Sequence, residues 1–240
     1  MGNYENDKLS GEKHLLETIF SKMESGVVFD IGANVGSYSK FIREINKNVK
    51  IYAFEPHPKT YKELNANVTG LNIKTYNYGA GHCNEEILLH DYETNDGSSH
   101  ASVYKESIEQ LRGKKSVSHI VKIIKLDDFF DENKINRINF IKIDTEGNEF
   151  KVLEGLKNSI LQTKIDIIAF EFNEMNIFSR VFFKDFWDLL SNYNFYRLLP
   201  KQLMKIETYD PLRCEIFAFQ NYIAIQKDID IEEGILNGAK

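Results

Sequence analysis

The chain has 240 residues, of which 42% are hydrophobic and 28% are charged, and its formal net charge is −6. This length and composition are typical of one globular domain with a large core. The acidic balance argues against nucleic acid as the main substrate, because contacts to phosphates need clustered lysine and arginine. The two cysteines, Cys83 and Cys214, form neither a CxxC pair nor a metal-binding spacing, so we expect free thiols.

The N-terminal region is polar at its start and then predicts a helix. Residues 1–13 are polar and contain no apolar signal core, and no run approaches the roughly 18 apolar residues of a membrane span. We therefore expect a cytoplasmic protein without a membrane span. Leu15, Ile19 and Met23 recur at helical spacing, which predicts a helix within residues 1–25 that packs on the core. Residues 26–240 are predicted to form a single domain.

Residues 27–36, VVFDIGANVG, are the most informative run. An apolar stretch ends in Asp30, a loop with Gly32, Asn34 and Gly36 follows, and an amphipathic segment begins directly after it. The order of strand, glycine loop and helix predicts a nucleotide-type cofactor site at the carboxyl end of a first parallel strand. Asn34 can replace a middle glycine because Asn tolerates left-handed backbone better than most residues.

The next strand supplies the second half of this site. Residues 50–54, KIYAF, form a mostly apolar run that predicts a second strand ending at Glu55 and Pro56. An acid roughly 20 residues past the glycine loop, at the end of the second strand, is where a ribose diol binds. We therefore assign Glu55 and Pro56 to the cofactor site, and His57 to a turn or a helix cap. A third strand is predicted over 73–80, and its last residue, Ala80, is also assigned to the cofactor site.

A long polar segment, 91–118, separates two predicted strands over 85–91 and 119–125. It is too long for a simple connection, which favours a functional loop or lid over the active site. His100 lies in this segment after two serines, where it could close over an acceptor.

The block KIDTEG, 142–147, follows the start of a buried strand and is the second informative run. Lys142 and Asp144 lie on one face of this strand by alternation. A lysine in an apolar strand needs an acid partner, and Asp144 or Glu146 can provide it. These acids either face the substrate, where they take a proton or bind a divalent cation, or form a structural salt bridge. Glu171 ends the next apolar strand, either beside Asp144 across the crevice or as a solvated strand end.

Strands alternate with helical patterns along the whole chain, which predicts an α/β fold with a doubly wound, mainly parallel sheet and helices on both faces. Three blocks then resemble one family in order: VVFDIGANVGSYSKF, IYAFEPHPKTYKELNANV and FIKIDTEGNEFKVLEGL are similar to the FkbM-type methyltransferases of the class I, S-adenosylmethionine-dependent kind. The resemblance implies a Rossmann-like sheet of seven strands, the last one antiparallel. It also implies S-adenosylmethionine as cofactor, with Asp30 and Gly32 near its methionyl end.

The resemblance further implies O-methylation of a sugar, a glycan precursor or another small metabolite. The turn of Asp144 to Gly147 replaces the Asn- or Asp-Pro-Pro-aromatic motif that suits an amine acceptor, which favours a hydroxyl. The candidate catalytic residues are Lys142, Asp144, Glu146, Glu171 and His100. No residue is assigned as a metal ligand, although a divalent cation stays open, and no oligomeric state is assigned. Two alternatives remain: a nicotinamide-dependent dehydrogenase, and a non-catalytic S-adenosylmethionine-binding protein.

Overall fold

The computed structural model describes residues 10–229. In chain order, the first half contains α1 (Glu12–Phe20), β1 (Val27–Ile31), α2 (Ser37–Ile45), β2 (Lys50–Phe54), α3 (Pro58–Asn67), β3 (Ile73–Tyr76), β4 (Gly79–Gly81), β5 (Glu85–Tyr92) and β6 (Ser116–Lys125). The second half contains α4 (Leu126–Glu132), β7 (Ile138–Ile143), α5 (Glu149–Glu154), α6 (Lys157–Leu161), β8 (Ile165–Phe172), α7 (Met175–Ser179), α8 (Phe183–Leu189), β9 (Tyr193–Leu199), β10 (Gln202–Ile206), α9 (Pro211–Cys214) and β11 (Gln220–Gln226). A π-helical turn, Ser107–Leu111, lies between β5 and β6.

The central sheet confirms the predicted doubly wound, mainly parallel architecture. Its strand order is β10-β9-β11-β8-β7-β1-β2-β3. β1 pairs in parallel with β2 on one side and with β7 on the other, and β7 pairs in parallel with β8. The strand order therefore reverses between β1 and β7. Ligands of open α/β sheets bind at such a reversal, beyond the carboxyl ends of the strands.

The number of strands differs from the seven that were expected. β11 is the last strand within residues 10–229 and runs antiparallel to β8 and β9, as the resemblance implied. β10 is an additional eighth strand that pairs with β9 as a hairpin at the sheet edge. The sequence of β10, QLMKI, shows no alternation of apolar and polar residues that would predict a strand, and in the structure only Leu203 of β10 is buried.

The strand predicted over 73–80 is two separate strands. β3 ends at Tyr76, and β4 belongs to a second sheet of three strands in the order β4-β6-β5. The break lies at Asn77, whose side-chain amide donates to the carbonyl oxygens of Glu55 and Pro56. Apolar pattern alone does not show this break, because both strands are short and consecutive.

Apolar side chains cover both faces of the central sheet. On one face, Leu15, Leu16 and Phe20 of α1 are buried in a cluster that includes Val28 and Phe140 of the sheet. The helix ends at Phe20, so the predicted contact residue Met23 lies beyond it and is only partly buried. A larger cluster occupies the opposite face. None of the helices within residues 10–229 is long and apolar enough to cross a membrane.

Candidate functional site

A cavity of about 610 Å³ lies at the carboxyl ends of β1, β2, β7 and β8. Its volume is in the usual range for a small-molecule site. Most of the predicted site residues line it: Gly32, Asn34, Glu55, Pro56, Ala80, His100, Lys142, Asp144, Glu146 and Glu171. The structure places the other two, Asp30 and Gly36, behind the cavity wall, where both are buried.

The glycine loop between β1 and α2 is shaped by packing. Gly32, Asn34 and Gly36 all have positive φ, at 79°, 49° and 87°, which confirms the left-handed backbone expected of Asn34. A Cβ on Gly32 would lie 1.7 Å from the carbonyl oxygen of Asp144. A Cβ on Gly36 would lie 2.7 Å from Leu64 Cδ1 in α3. Close approach of the Asp144 carbonyl therefore requires a glycine at position 32, and Gly36 lets the loop pack against the side chains of Leu64 and Val68.

Glu55 connects the end of β2 to this loop. Its Oε1 accepts from the amide of His57 at 2.8 Å, and its Oε2 accepts from the amide of Asn34 at 2.9 Å. Burial raises the pKa of Glu55 to about 7, and the two amide hydrogen bonds oppose this rise. A carboxylate offers about four lone-pair positions, so two remain for a ligand in the cavity.

Asp30 lies in β1, directly beside Lys142 of β7. Its Oδ2 accepts from Ser39 Oγ at 2.6 Å, while its Oδ1 has no hydrogen-bond partner among residues 10–229. Burial raises the pKa of Asp30, and the charge of Lys142 opposes that rise. The geometry assigns this carboxyl to the first turn of α2 and to Lys142 rather than to the cavity surface.

The ion pair predicted for Lys142 is confirmed, with Asp144 as its partner. The Nζ–Oδ2 distance is 2.7 Å, and Nζ also lies 4.7 Å from the ring centroid of Tyr38. Burial opposes the charge of Lys142, but Asp144 and Asp30 outweigh it and raise its pKa. The Asp144 side chain is 30% exposed and lines the cavity, so it stays accessible to a bound molecule.

Glu146 is tied to the segment 91–118. Its Oε1 lies 3.4 Å from His100 Nδ1 and its Oε2 lies 3.7 Å from Arg112 Nη2. Ser102 Oγ donates to the Glu146 carbonyl at 2.8 Å. Glu146 has φ of 52°, an unfavourable conformation for a residue with a Cβ, so these contacts hold a strained turn. Burial raises the pKa of its carboxyl, and His100 opposes that rise.

Glu171 is the third acid beside this turn. Its Oε2 accepts from Asn173 Nδ2 at 3.3 Å. Burial, followed by the charges of Asp144 and Glu146, raises the pKa of Glu171 well above its ordinary value. The structure therefore brings together the predicted acids Asp144, Glu146 and Glu171, but places each in a different electrostatic environment.

Carboxylate oxygens do not gather around a cation position at Asp144. Among residues 10–229, the groups of three metal-type side chains with ligand atoms within 4.8 Å of one another are His57–Asp96–His119 and His82–Cys83–Glu85. Asp144 and Glu146 belong to neither group, and Lys142 occupies one oxygen of Asp144.

Sequence reasoning missed three residues around the site. Tyr38 has the spacing of an ordinary helical stripe with Phe41 and Ile45, yet it lines the cavity beside Lys142. Asn148 lies at the N-cap position of α5 but makes no side-chain cap bond, and its side-chain amide instead donates to the carbonyl of Ala80 at 3.0 Å. Glu149 accepts from the amide and hydroxyl of Thr145, at 2.8 and 3.0 Å, and so shapes the acidic turn. An acid in the first helical turn after Gly147 was the available signal for Glu149.

Comparison with known proteins places the chain among methyltransferases. The hexuronic acid methyltransferase AglP of Haloferax volcanii is 24% identical over 163 residues, which are 67% of this chain and 62% of that protein. The 2-O-methyltransferase NoeI of Sinorhizobium fredii is 24% identical over 161 residues, 63% of this chain and 65% of that protein. The matched region thus spans less than two thirds of either relative.

A solved structure, the precorrin-6y C5,15-methyltransferase of Geobacter metallireducens, aligns with 90% of this chain and 87% of its own, at a TM-score of 0.47 and 10% identity. The family model described as the methyltransferase FkbM domain matches residues 30–196. This match includes the glycine loop, Glu55 and the acidic turn at Asp144, and it covers more than half of the chain. The chain therefore belongs to the FkbM methyltransferase family.

Proposed function

We propose that this protein is an S-adenosylmethionine-dependent O-methyltransferase whose acceptor is a hydroxyl of a sugar, a glycan precursor or a similar small metabolite. The observation that carries the proposal is the shared cavity of Glu55 and Asp144. Glu55 is fixed by the amides of Asn34 and His57, and Asp144 lies across the glycine loop from it. Membership of a methyltransferase family supports the reaction type, and the names of AglP and NoeI support a saccharide hydroxyl.

The cavity suits the cofactor by charge and by shape. Even without Glu171, whose raised pKa favours the neutral form, its walls carry more acids than lysines, and this excess favours a ligand with a sulfonium cation. The other acids are Glu12, Glu44, Glu55, Asp144 and Glu146, and the lysines are Lys13, Lys40 and Lys142. The free lone pairs of Glu55 match a ribose diol. Pro56, Ala80 and Ile123 supply an apolar wall of the kind that a purine ring needs.

Asp144 is the acid best placed to accept the proton of the hydroxyl. Burial and the neighbouring acids raise the pKa of Glu171 well above its ordinary value, which favours its protonated form. Glu146 is engaged by His100 and Arg112. Asp144 is exposed to the cavity, and Lys142 fixes one of its oxygens and leaves the other for the acceptor. A positioned carboxylate of this kind contributes about 10²–10⁴-fold to a rate.

The methyl group itself needs little activation. When bound, S-adenosylmethionine supplies an electrophilic methyl carbon on a cationic sulfur. The protein would then have to align the acceptor oxygen with that carbon and to remove the hydroxyl proton as the carbon–oxygen bond forms and the carbon–sulfur bond breaks, with the thioether as leaving group. The carboxylate of Asp144 takes that proton, and the ammonium of Lys142 keeps the carboxylate oriented during the transfer.

The test combines cofactor titration with product detection. Calorimetry of the purified protein should show binding of S-adenosylmethionine and no binding of NAD or NADP. Incubation with methyl-labelled S-adenosylmethionine and a panel of saccharides and uronic acids, followed by mass spectrometry, should show a label on oxygen. Binding of NAD alone would favour a dehydrogenase. Binding of S-adenosylmethionine without a labelled product, in the panel and in a cell extract, would favour a non-catalytic binder.

A further inference from the structure

Three side chains of metal-binding type converge beside the cavity. His57 Nε2 lies 3.0 Å, and His119 Nε2 lies 2.7 Å, from the same atom, Oδ1 of Asp96. The two imidazole centroids are 4.6 Å apart. His57 lies in the turn between β2 and α3, Asp96 in the segment after β5, and His119 in β6. The fold, and not local sequence, therefore brings these groups together.

We propose that His57, Asp96 and His119 bind a divalent zinc-type ion that clamps the segment 91–118 to the body of the protein. Two imidazole nitrogens and a carboxylate oxygen are a ligand set that zinc accepts. In a tetrahedral site with Zn–N near 2.0–2.1 Å, ligand atoms lie about 3.4 Å apart. The observed separations of 2.7 and 3.0 Å are shorter than this by about half an ångström, so small rotations of the side chains admit the ion.

The charge around this position also favours a cation. Asp91 Oδ2 is fully buried and lies 3.8 Å from His57 Nε2, so a second carboxylate is close. Asp91 also accepts from the amides of Gly97 and Ser98, which fixes the loop that carries Asp96. Lys59 Nζ binds the carbonyl oxygen of Asp96 and not its carboxylate. A divalent ion would balance the two carboxylates.

The hydrogen bonds of His57 allow it to act as a ligand. Its Nδ1 lies 3.4 Å from the amide of Thr60 and 3.3 Å from Thr60 Oγ1. Without an ion, Nδ1 accepts from that amide, and Nε2–H donates to Asp96. With an ion, the proton moves to Nδ1 and is donated to Thr60 Oγ1, the Thr60 amide gives up its bond to the ring, and the Nε2 lone pair is left for the metal. A second hydrogen-bond partner of this kind is usual for a ligating histidine.

The fourth coordination position is open to water. The side chains of Asp96 and His119 are 33% and 25% exposed, respectively. His100 follows Asp96 by four residues and meets Glu146 in the cavity, and His57 donates its amide to Glu55. An ion here would therefore fix the polar segment against the cofactor side of the cavity. It would act as a structural clamp outside the methyl-transfer reaction.

The experiment measures metal binding by chelator-stripped protein. Calorimetry with Zn²⁺, and visible absorption with Co²⁺, should show one site in the wild type. His119→Ala should weaken zinc binding by more than about 100-fold, because loss of a supporting partner alone costs 10–100-fold. The matched control is His82→Ala, which alters the exposed group His82–Cys83–Glu85 and should leave the site unchanged.

Asp96→Asn serves as a second variant, since the amide oxygen can still accept from both histidines while the negative charge is lost. Circular dichroism in chelator checks that each variant is folded. The proposal predicts weaker zinc binding by Asp96→Asn and an anomalous zinc signal between His57 and His119 in a crystal. Absence of saturable zinc binding by the wild type, equal binding by wild type and His119→Ala, or an ion at His82 would overturn it. In any of these cases the cluster is only a hydrogen-bonded latch.

Discussion

Replacement of Glu55 tests the cofactor site without knowledge of the acceptor. The carboxylate is 7% exposed and already accepts two backbone amides, so its direction is fixed before a ligand arrives. Glu55→Ala removes the hydrogen bonds offered to a ribose diol. Hydrogen bonds to a charged group contribute about 1.5–3 kcal/mol, so we expect the dissociation constant for S-adenosylmethionine to rise by about 10- to 150-fold.

The assay is isothermal titration with S-adenosylmethionine and, separately, with S-adenosylhomocysteine. Glu55→Gln keeps the volume of the side chain but turns one amide donor toward the amide of Asn34 or His57, so its affinity should also fall. The matched control is Glu171→Gln, which lies in the same cavity beside the acidic turn and should change affinity by less than about 3-fold, under 1 kcal/mol. Unchanged affinity of a folded Glu55→Ala would place the ribose elsewhere and refute this assignment.

Three further outcomes follow from the acidic turn and the glycine loop. Asp144→Asn should keep cofactor affinity within a few-fold and lower turnover by about 100-fold or more, whereas Glu171→Gln should retain most of the turnover. A larger loss of turnover for Glu171→Gln than for Asp144→Asn would make Glu171 the base. In urea unfolding, Lys142→Met should cost less than Asp144→Ala, because Asp144 is 30% exposed and can be hydrated, whereas Asp144→Ala leaves a buried ammonium at a cost of about 3 kcal/mol; an equal or larger loss for Lys142→Met would contradict the pairing argument. Gly36→Val should lower the free energy of unfolding by about 1–3 kcal/mol more than Gly70→Val. Both positions have positive φ, but only Gly36 is packed against other side chains. Equal losses would rule out a packing role.

The sequence predicts the architecture well where pattern and geometry coincide. The run before Asp30, the run before Glu55 and the run before Asp144 each became a parallel strand with its acid at the carboxyl end. Because those ends meet at one edge of a parallel sheet, the acids of separate blocks could be placed together without coordinates. The pairing of Lys142 with Asp144 followed from alternation on one strand face.

Other features depend on contacts that a single sequence does not contain. Gly36 belongs to the glycine loop in sequence, but in the structure a Cβ at this position would collide with Leu64 of α3. The helical spacing of Tyr38 is compatible with a core residue and also with a residue that lines the cavity. Its contact with Lys142, which is seen only in the structure, places it in the cavity wall. The convergence of His57, Asp96 and His119 requires the three-stranded sheet, whose strand β4 had been assigned to the central sheet.

The contact between the glycine loop and the acidic turn limits which substitutions this protein can accept. Gly32 packs against the carbonyl of Asp144, and the amide of Asp144 donates to Ile31 at 3.0 Å. Any shift of one backbone segment therefore displaces the other, so the glycine loop and the acidic turn cannot be redesigned separately. New acceptor specificity would have to be introduced from elements outside this contact, such as the loop at Phe219. Directed-evolution libraries built on this scaffold should accept substitutions there and reject them at Gly32.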